Sequence, residues 1–245
     1  MTASGVLILG ANSDIARAVA HVYGAAGYPL MLAGRAPERF APDMSDLHLR
    51  YGVPVTVHGF DVLETDSHAA FVANLPVLPD IVICAVGLLG IQAQAETDAD
   101  HMSLVLRSNL EGPASALSQF AAAFEDRGSG VLVGISSVAG ERGRASNYTY
   151  GAAKAGFTAF LSGLRNRLAG KGVHVVTVLP GYVATRMTEG MALPALLTAQ
   201  PEDVARAIRL AVDTQRNIVH VRPIWAVIMG VIRLIPEPLF KRMKL

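Results

Sequence analysis

A doubly wound α/β fold is predicted for this chain: a parallel sheet of about seven strands with helices on both faces. Three observations predict it. Short apolar, β-branched runs alternate with longer Ala-rich helical patterns from one end to the other. The runs are apolar at nearly every position, as strands covered on both faces are. The 245 residues suffice for one sizeable domain, 1–245, and are few for two.

Strand-like runs lie at 6–9, 30–33, 53–58, 81–85, 131–136, 173–179 and 218–221, and helical patterns at 15–26, 66–75, 98–127, 148–169 and 201–214. The first run, "VLIL", leads through "GANSDIA" into an Ala-rich helix. A strand, a tight turn and a helix N-terminus offer backbone N–H groups and partial positive charge to a nucleotide pyrophosphate. Gly10, Ala11 and Ala16 keep the turn small, Asn12 adds a polar group, and Ser13 suits the helix N-cap. Asp14 is discordant. With Ala16 it stands where glycines would complete a dinucleotide fingerprint, and its carboxylate repels a pyrophosphate unless it points outward or caps the helix. Alone, the stretch also fits an ordinary capped turn.

The second run ends in Gly34 and Arg35. An arginine where an acidic residue would grip the ribose 2′-hydroxyl of NAD suits the 2′-phosphate of NADP, a solvated surface arginine being the alternative. The third run is followed by "FDV" (60–62), the fourth closes on "CAVG" (84–87), and "RSNLEGP" (107–113) falls inside the long helical pattern. The fifth closes on "GISSVAG" (134–140), which puts Ser137 just past a strand end, where open parallel sheets gather active-site residues. Tyr150 and Lys154, four apart at the start of the next helix, share one face. The ammonium is expected to draw the phenol pKa toward neutrality and make it a usable proton donor or acceptor. The sixth run ends in "PGYVATRM" (180–187), and Pro201, Glu202 and Asp203 give the last long helix its start chemistry.

With 21 Lys and Arg against 20 Asp and Glu, the net charge of +1 gives no general attraction to polyanions, so nucleic-acid binding is not expected. Cys84 is the single cysteine, excludes an intramolecular disulfide and reads as a small buried residue; nothing has the spacing of a metal cluster. The opening "GVLILG" carries no signal-peptide pattern, and a cytoplasmic location is expected. The apolar run at 224–235 is broken by Gly230 and Arg233 and falls short of the roughly 20 residues that span a bilayer. Lys241, Arg242 and Lys244 follow it. The segment 225–245 therefore reads as an amphipathic helix on an anionic membrane surface, or as one packed on the core or on a second subunit.

Taken jointly, "GANSDIA", "FDV", "RSNLEGP", "GISSVAG", "YGAAK" (150–154) and "PGYVATRM" resemble the short-chain dehydrogenase/reductase family, in family order over residues 5 to about 190. The resemblance implies a single Rossmann domain with strand order 3-2-1-4-5-6-7, and an NADP(H)-dependent oxidoreductase that interconverts a ketone and a secondary alcohol. It also implies a homodimer or homotetramer. Tyr150 would protonate the carbonyl oxygen, Lys154 would lower its pKa and bond the nicotinamide ribose, and Ser137 would polarise the carbonyl, Ser136 being structural. Asn109 would anchor a water relay behind Lys154. Gly10, Asn12, Ser13, Asp14 and Ile15 would seat the pyrophosphate, Arg35 the 2′-phosphate, and Asp61 and Val62 the adenine. Gly87, Pro180, Gly181, Val183 and Thr185 would flank the nicotinamide. "CAVG" departs from the family's Asn-Asn-Ala-Gly, as Asp14 and Ala16 depart from its glycines.

For the substrate, Arg142 and Arg144 in "GERGRASN" are candidate binders of an anionic group, with solvated arginines or a pairing with Glu141 as the alternative. Tyr182 opens an apolar segment that suits a mobile lid. These stretches and the tail resemble a subgroup that includes the reductase of a 2-keto pentose carried on decaprenyl phosphate, which implies a lipid-linked substrate. A 3-oxoacyl or small-ketone reductase is the alternative enzyme. A non-catalytic NADP-binding sensor or scaffold is the alternative of another class.

Overall fold

Every expected strand-like run forms a strand. The computed structural model describes residues 5–243, in which the strands are β1 (Val6–Leu9), β2 (Leu30–Gly34), β3 (Val55–Gly59), β4 (Ile81–Cys84), β5 (Gly130–Ile135), β6 (Val173–Pro180), β7 (Tyr182–Val183), β8 (Thr198–Ala199) and β9 (Ile218–Val221). Seven of these make one parallel sheet in the order β3-β2-β1-β4-β5-β6-β9, while β7 pairs with β8 alone. The helices are α1 (Asp14–Ala25), α2 (Ala41–Tyr51), α3 (His68–Ala73), α4 (Gln92–Ala95), α5 (Ala99–Leu106), α6 (Gly112–Arg127), α7 (Tyr148–Leu168), α8 (Pro201–Asp213), α9 (Ile224–Leu234) and α10 (Glu237–Phe240).

The central strands need apolar residues at every position because alternate side chains enter two different cores. Val6, Ile8, Val176 and Val178 pack with Val19 of α1 and Ile208 of α8 on one face. Leu7, Leu9, Val82 and Val175 pack with Phe120 of α6 and with Phe157 and Leu161 of α7 on the other. Cys84 is buried in the second core, and burial pushes its thiol up to about 11. The order reverses between β1 and β4, so a crevice opens beyond their C-terminal ends.

The structure departs from the sequence pattern at four places. The helical pattern at 98–127 is not continuous: α5 and α6 are joined by a π-turn at Arg107–Glu111, where the Gly112 N–H bonds the Arg107 carbonyl. Pro113 has no N–H for an i−4 bond, which explains why the ladder widens there. Between the second and third runs, where no helical pattern is expected, lies α2, with Pro42 in its first turn and Leu47 as its only buried residue. So polar a helix gives little periodic signal. The strand expected at 53–58 lies at Val55–Gly59. The short β7–β8 pair had no counterpart in the sequence pattern.

The tail packs. Trp225 and Met229 of α9 are buried against Val138 and Leu179, while Val227, Val231 and Leu234 face outward. Among the described residues no helix is long and apolar enough to cross a membrane. Lys244 lies outside them.

Candidate active site

At the C-terminal ends of β1, β4, β5 and β6 the loops enclose a cavity of about 780 Å³. Ser13, Asp14 and Ile15 line it from α1, Gly87 from the segment after β4, and Ser137 from the end of β5. Tyr150 and Lys154 line it from α7, and Pro180, Gly181, Tyr182, Val183 and Thr185 from the end of β6 onward. Thirteen of the sequence-predicted site residues therefore share one cavity: the twelve just named and Arg144.

Helical spacing puts Tyr150 and Lys154 on one face, as expected, with the Lys154 Nζ 5.6 Å from the centre of the Tyr150 ring. The electrostatics differ from expectation. Lys154 is buried and donates to the Ile135 carbonyl at 3.0 Å, and burial pulls its ammonium down to about 8. Burial likewise pushes the Tyr150 phenol up to about 12, with a hydrogen bond to Ser137 acting against it. Both shifts have one cause, the cost of placing a charge where water is excluded. The ammonium lies against the ring and bonds a carbonyl, so it does not bring the phenol to neutrality.

Ser137 is buried at the start of a short helical turn, where its Oγ accepts from the Ala139 N–H at 3.1 Å and donates to the Pro180 carbonyl at 3.4 Å. The neighbouring Ser136 is tied to α7: its Oγ bonds the Lys154 carbonyl at 2.9 Å and the Thr158 hydroxyl at 2.7 Å. Asn109 sits on the π-turn, fully buried. Its Nδ2 donates to the Leu88 and Val105 carbonyls, and its Oδ1 accepts from the Leu88 N–H at 3.2 Å. It ties down the loop after β4. A Cβ at Gly87 would come within 3.2 Å of its Oδ1.

At the nucleotide turn, Gly10 adopts φ +79° and any Cβ there would come within 2.9 Å of Val86. Ser13 is the N-cap of α1, its side chain accepting from the Ala16 N–H at 3.1 Å. The remaining first-turn N–H groups have no intrahelical partner. This tight, amide-rich cradle fits a pyrophosphate. Asp14 does not block it. Its carboxylate takes the Arg186 backbone N–H at 2.8 Å and the Arg186 Nε at 2.9 Å, and the same guanidinium bonds the Asn12 carbonyl. Arg186, which sequence reasoning missed, thereby joins the two lips of the cavity. Arg35 is exposed just beyond β2, and Asp61, half-buried, accepts from the Leu63 N–H; with Val62 they lie outside the cavity, beyond the ends of β2 and β3.

On the opposite wall the structure separates the two loop arginines. Arg142 does not face the cavity: it pairs with Glu237 at 2.7 Å, donates to the Arg233 carbonyl and lies 4.0 Å from the centre of the Phe240 ring. The expectation that it binds substrate is corrected, because the α9 C-terminus and α10 claim its guanidinium. Glu141 pairs with His220 and Arg233 rather than with the loop arginines. Arg144 lines the cavity. So does Trp225, which sequence reasoning left in the tail. Its indole donates to the Leu197 carbonyl and stands edge-on to Tyr182, and a Cβ on Gly181 would run into it. The only sequence signal for that role is that Trp225 is the single tryptophan of the chain, too weak to read without the fold.

A family model described as short chain dehydrogenase matches residues 4–193. An uncharacterized oxidoreductase of Mycobacterium tuberculosis is 38% identical over 248 residues, covering 98% of this chain and 97% of that protein. The sulfoacetaldehyde reductase of Chromohalobacter salexigens is 34% identical over 188 residues, 75% of this chain and 74% of its own. A short-chain dehydrogenase from Sphingobium yanoikuyae, solved in complex with NADPH, superposes with a TM-score of 0.81 at 21% identity over 98% of this chain and 96% of its own. The chain belongs to the short-chain dehydrogenase family and is an oxidoreductase.

Proposed function

We propose that the protein interconverts a ketone and a secondary alcohol with NADP(H). The observation that carries the reading is the meeting of Ser137, Tyr150 and Lys154 in the wall of one cavity whose other end is the amide cradle of α1. A bound nicotinamide supplies or accepts the hydride. Ser137 holds the carbonyl oxygen and Tyr150, kept protonated by burial, gives it the proton. Lys154 would bond the ribose, and Asn109, which ties down the loop after β4, would keep that loop in register with it. Val183 and Thr185 flank the same end. Asp61 and Val62 are carried over for the adenine. Arg35, exposed and without an ion pair among the described residues, supports NADP over NAD through its 2′-phosphate; the Sphingobium yanoikuyae neighbour binds NADPH.

Tyr150→Phe tests this directly. Turnover of ketones with NADPH is expected to fall by about 10²–10⁴-fold while NADPH binding, followed by fluorescence, persists. Unchanged turnover overturns the assignment. Binding by the native protein without turnover of any ketone favours a sensor.

A finer reading is a lipophilic or lipid-phosphate-linked sugar substrate, met at an anionic membrane surface. It is favoured by the outward row Val227, Val231 and Leu234, beside cavity-lining Trp225 and flanked by exposed Arg233, Lys241 and Arg242. Co-flotation with anionic vesicles, abolished by Val231→Glu, is the expected result; no flotation of the native protein excludes membrane contact.

A further inference from the structure

Resting on the oxidoreductase reading, we infer that the substrate carries an acidic group, a carboxylate, sulfonate or phosphate, and that Arg144 receives it. Four charged side chains line the cavity: Asp14, Arg144, Lys154 and Arg186. Asp14 and Arg186 neutralise each other. Lys154 is engaged by the Ile135 carbonyl, in a burial that works against its charge. Arg144 alone keeps a permanent charge with no carboxylate beside it among the described residues.

Its hydrogen bonding is incomplete as well. The Arg144 Nε is buried and has no acceptor, and the Asn147 Oδ1, three residues on, is buried and has no donor. Other unsatisfied arginine nitrogens belong to Arg17, Arg127 and Arg209, each of which has a carboxylate neighbour in Asp43, Asp80 or Asp213 and none of which faces this cavity. With no carboxylate beside it and no acceptor on its Nε, the Arg144 guanidinium is not committed to the protein, and its terminal nitrogens are the ones free to meet a ligand in the cavity it lines. A guanidinium fork takes a planar or tetrahedral oxyanion through paired charge-assisted bonds. Arg144 lies on the loop that joins Ser137 to α7, so the anion is held at the reacting end of the cavity. The same cavity is lined by apolar side chains, Met187, Met191 and Trp225, which suit the rest of the substrate.

The test pairs aliphatic ketones ending in a carboxylate or sulfonate with their neutral methyl-ester or methyl-sulfone counterparts, reduced by the full chain with NADPH. The acid member is expected to exceed the neutral one in kcat/KM by roughly 10–100-fold, as a charged hydrogen bond allows. In Arg144→Gln that ratio falls to near one, and Arg144→Lys restores part of it. A ratio near one in the native protein, or one unchanged in Arg144→Gln, overturns the inference while leaving the oxidoreductase reading standing. Should no ketone be reduced, that reading fails, and calorimetric titration of alkanesulfonates into the NADPH-loaded protein still decides the role of Arg144. Binding weakened about tenfold or more in Arg144→Gln supports it, and absent or unaffected binding overturns it.

Discussion

Lys154 is held by a carbonyl, at 3.0 Å from Ile135, and has no carboxylate partner among the described residues. A buried ammonium without a counter-ion loses its proton early, and here it does so near pH 8. Tyr150 stays neutral up to about 12. The sign of the pH dependence follows: below about 8 the pair is ammonium and phenol, and above it amine and phenol. With NADPH as the varied substrate, kcat/KM reports the free protein. It is expected to fall as pH rises through about 8, and Lys154→Met is expected to give a low, flat profile. A limb centred well above 10 would assign the ionisation to Tyr150 instead. The positions of Ser137, Tyr150 and Lys154 were legible because a strand end and a four-residue helical step fix them locally. Their pKa values were not legible, because burial depends on what α7 packs against.

Elements meet at two seams that govern the cavity. One is the clasp between the α1 N-terminus and the segment after β7, made by Asp14 and Arg186. Arg186 is well exposed, with 61% of its side chain accessible, so the pair adds under about 1 kcal/mol to stability. Its consequence is electrostatic: it neutralises a carboxylate that replaces a glycine beside the pyrophosphate cradle. Arg186→Ala is expected to weaken NADPH binding roughly tenfold or more, and Asp14→Ala in the same chain to recover most of the loss. Additive effects of the two substitutions on the measured Kd would separate Arg186 from Asp14. The second seam is Gly181 against Trp225. Gly181→Ala forces the indole out of place, an overpacking cost of about 1–3 kcal/mol, or roughly 3–10 °C in melting temperature. Tyr182 and the Leu197 carbonyl both rest on that indole, so KM for the ketone is expected to rise with it.

At the scale of the whole molecule, the two large cores on either face of the sheet are independent of α9 and α10, and the small cluster of Val138, Leu179, Trp225 and Met229 is not. Ending the chain at Pro223 is therefore expected to keep the sheet, seen as unchanged far-UV circular dichroism. It should cost about 3 kcal/mol or more in thermal melting, the scale of losing a buried tryptophan. Loss of ketone turnover should accompany it, since Trp225 lines the cavity and Arg142 loses Glu237.

The amino-acid sequence by itself determined the seven parallel strands, most of the helices between them, and the turn, serine, tyrosine and lysine that face the cavity. Each of these rests on spacing within a few residues, where backbone geometry alone decides which side chains share a face or a strand end. Only the tertiary structure decided the charges. Asp14 finds its partner 172 residues away in Arg186, Arg142 finds Glu237 across 95, and Arg144, two residues from Arg142, lines the cavity with no carboxylate partner among the described residues. Long side chains choose partners by proximity in space, and chain folding rather than local pattern sets that proximity.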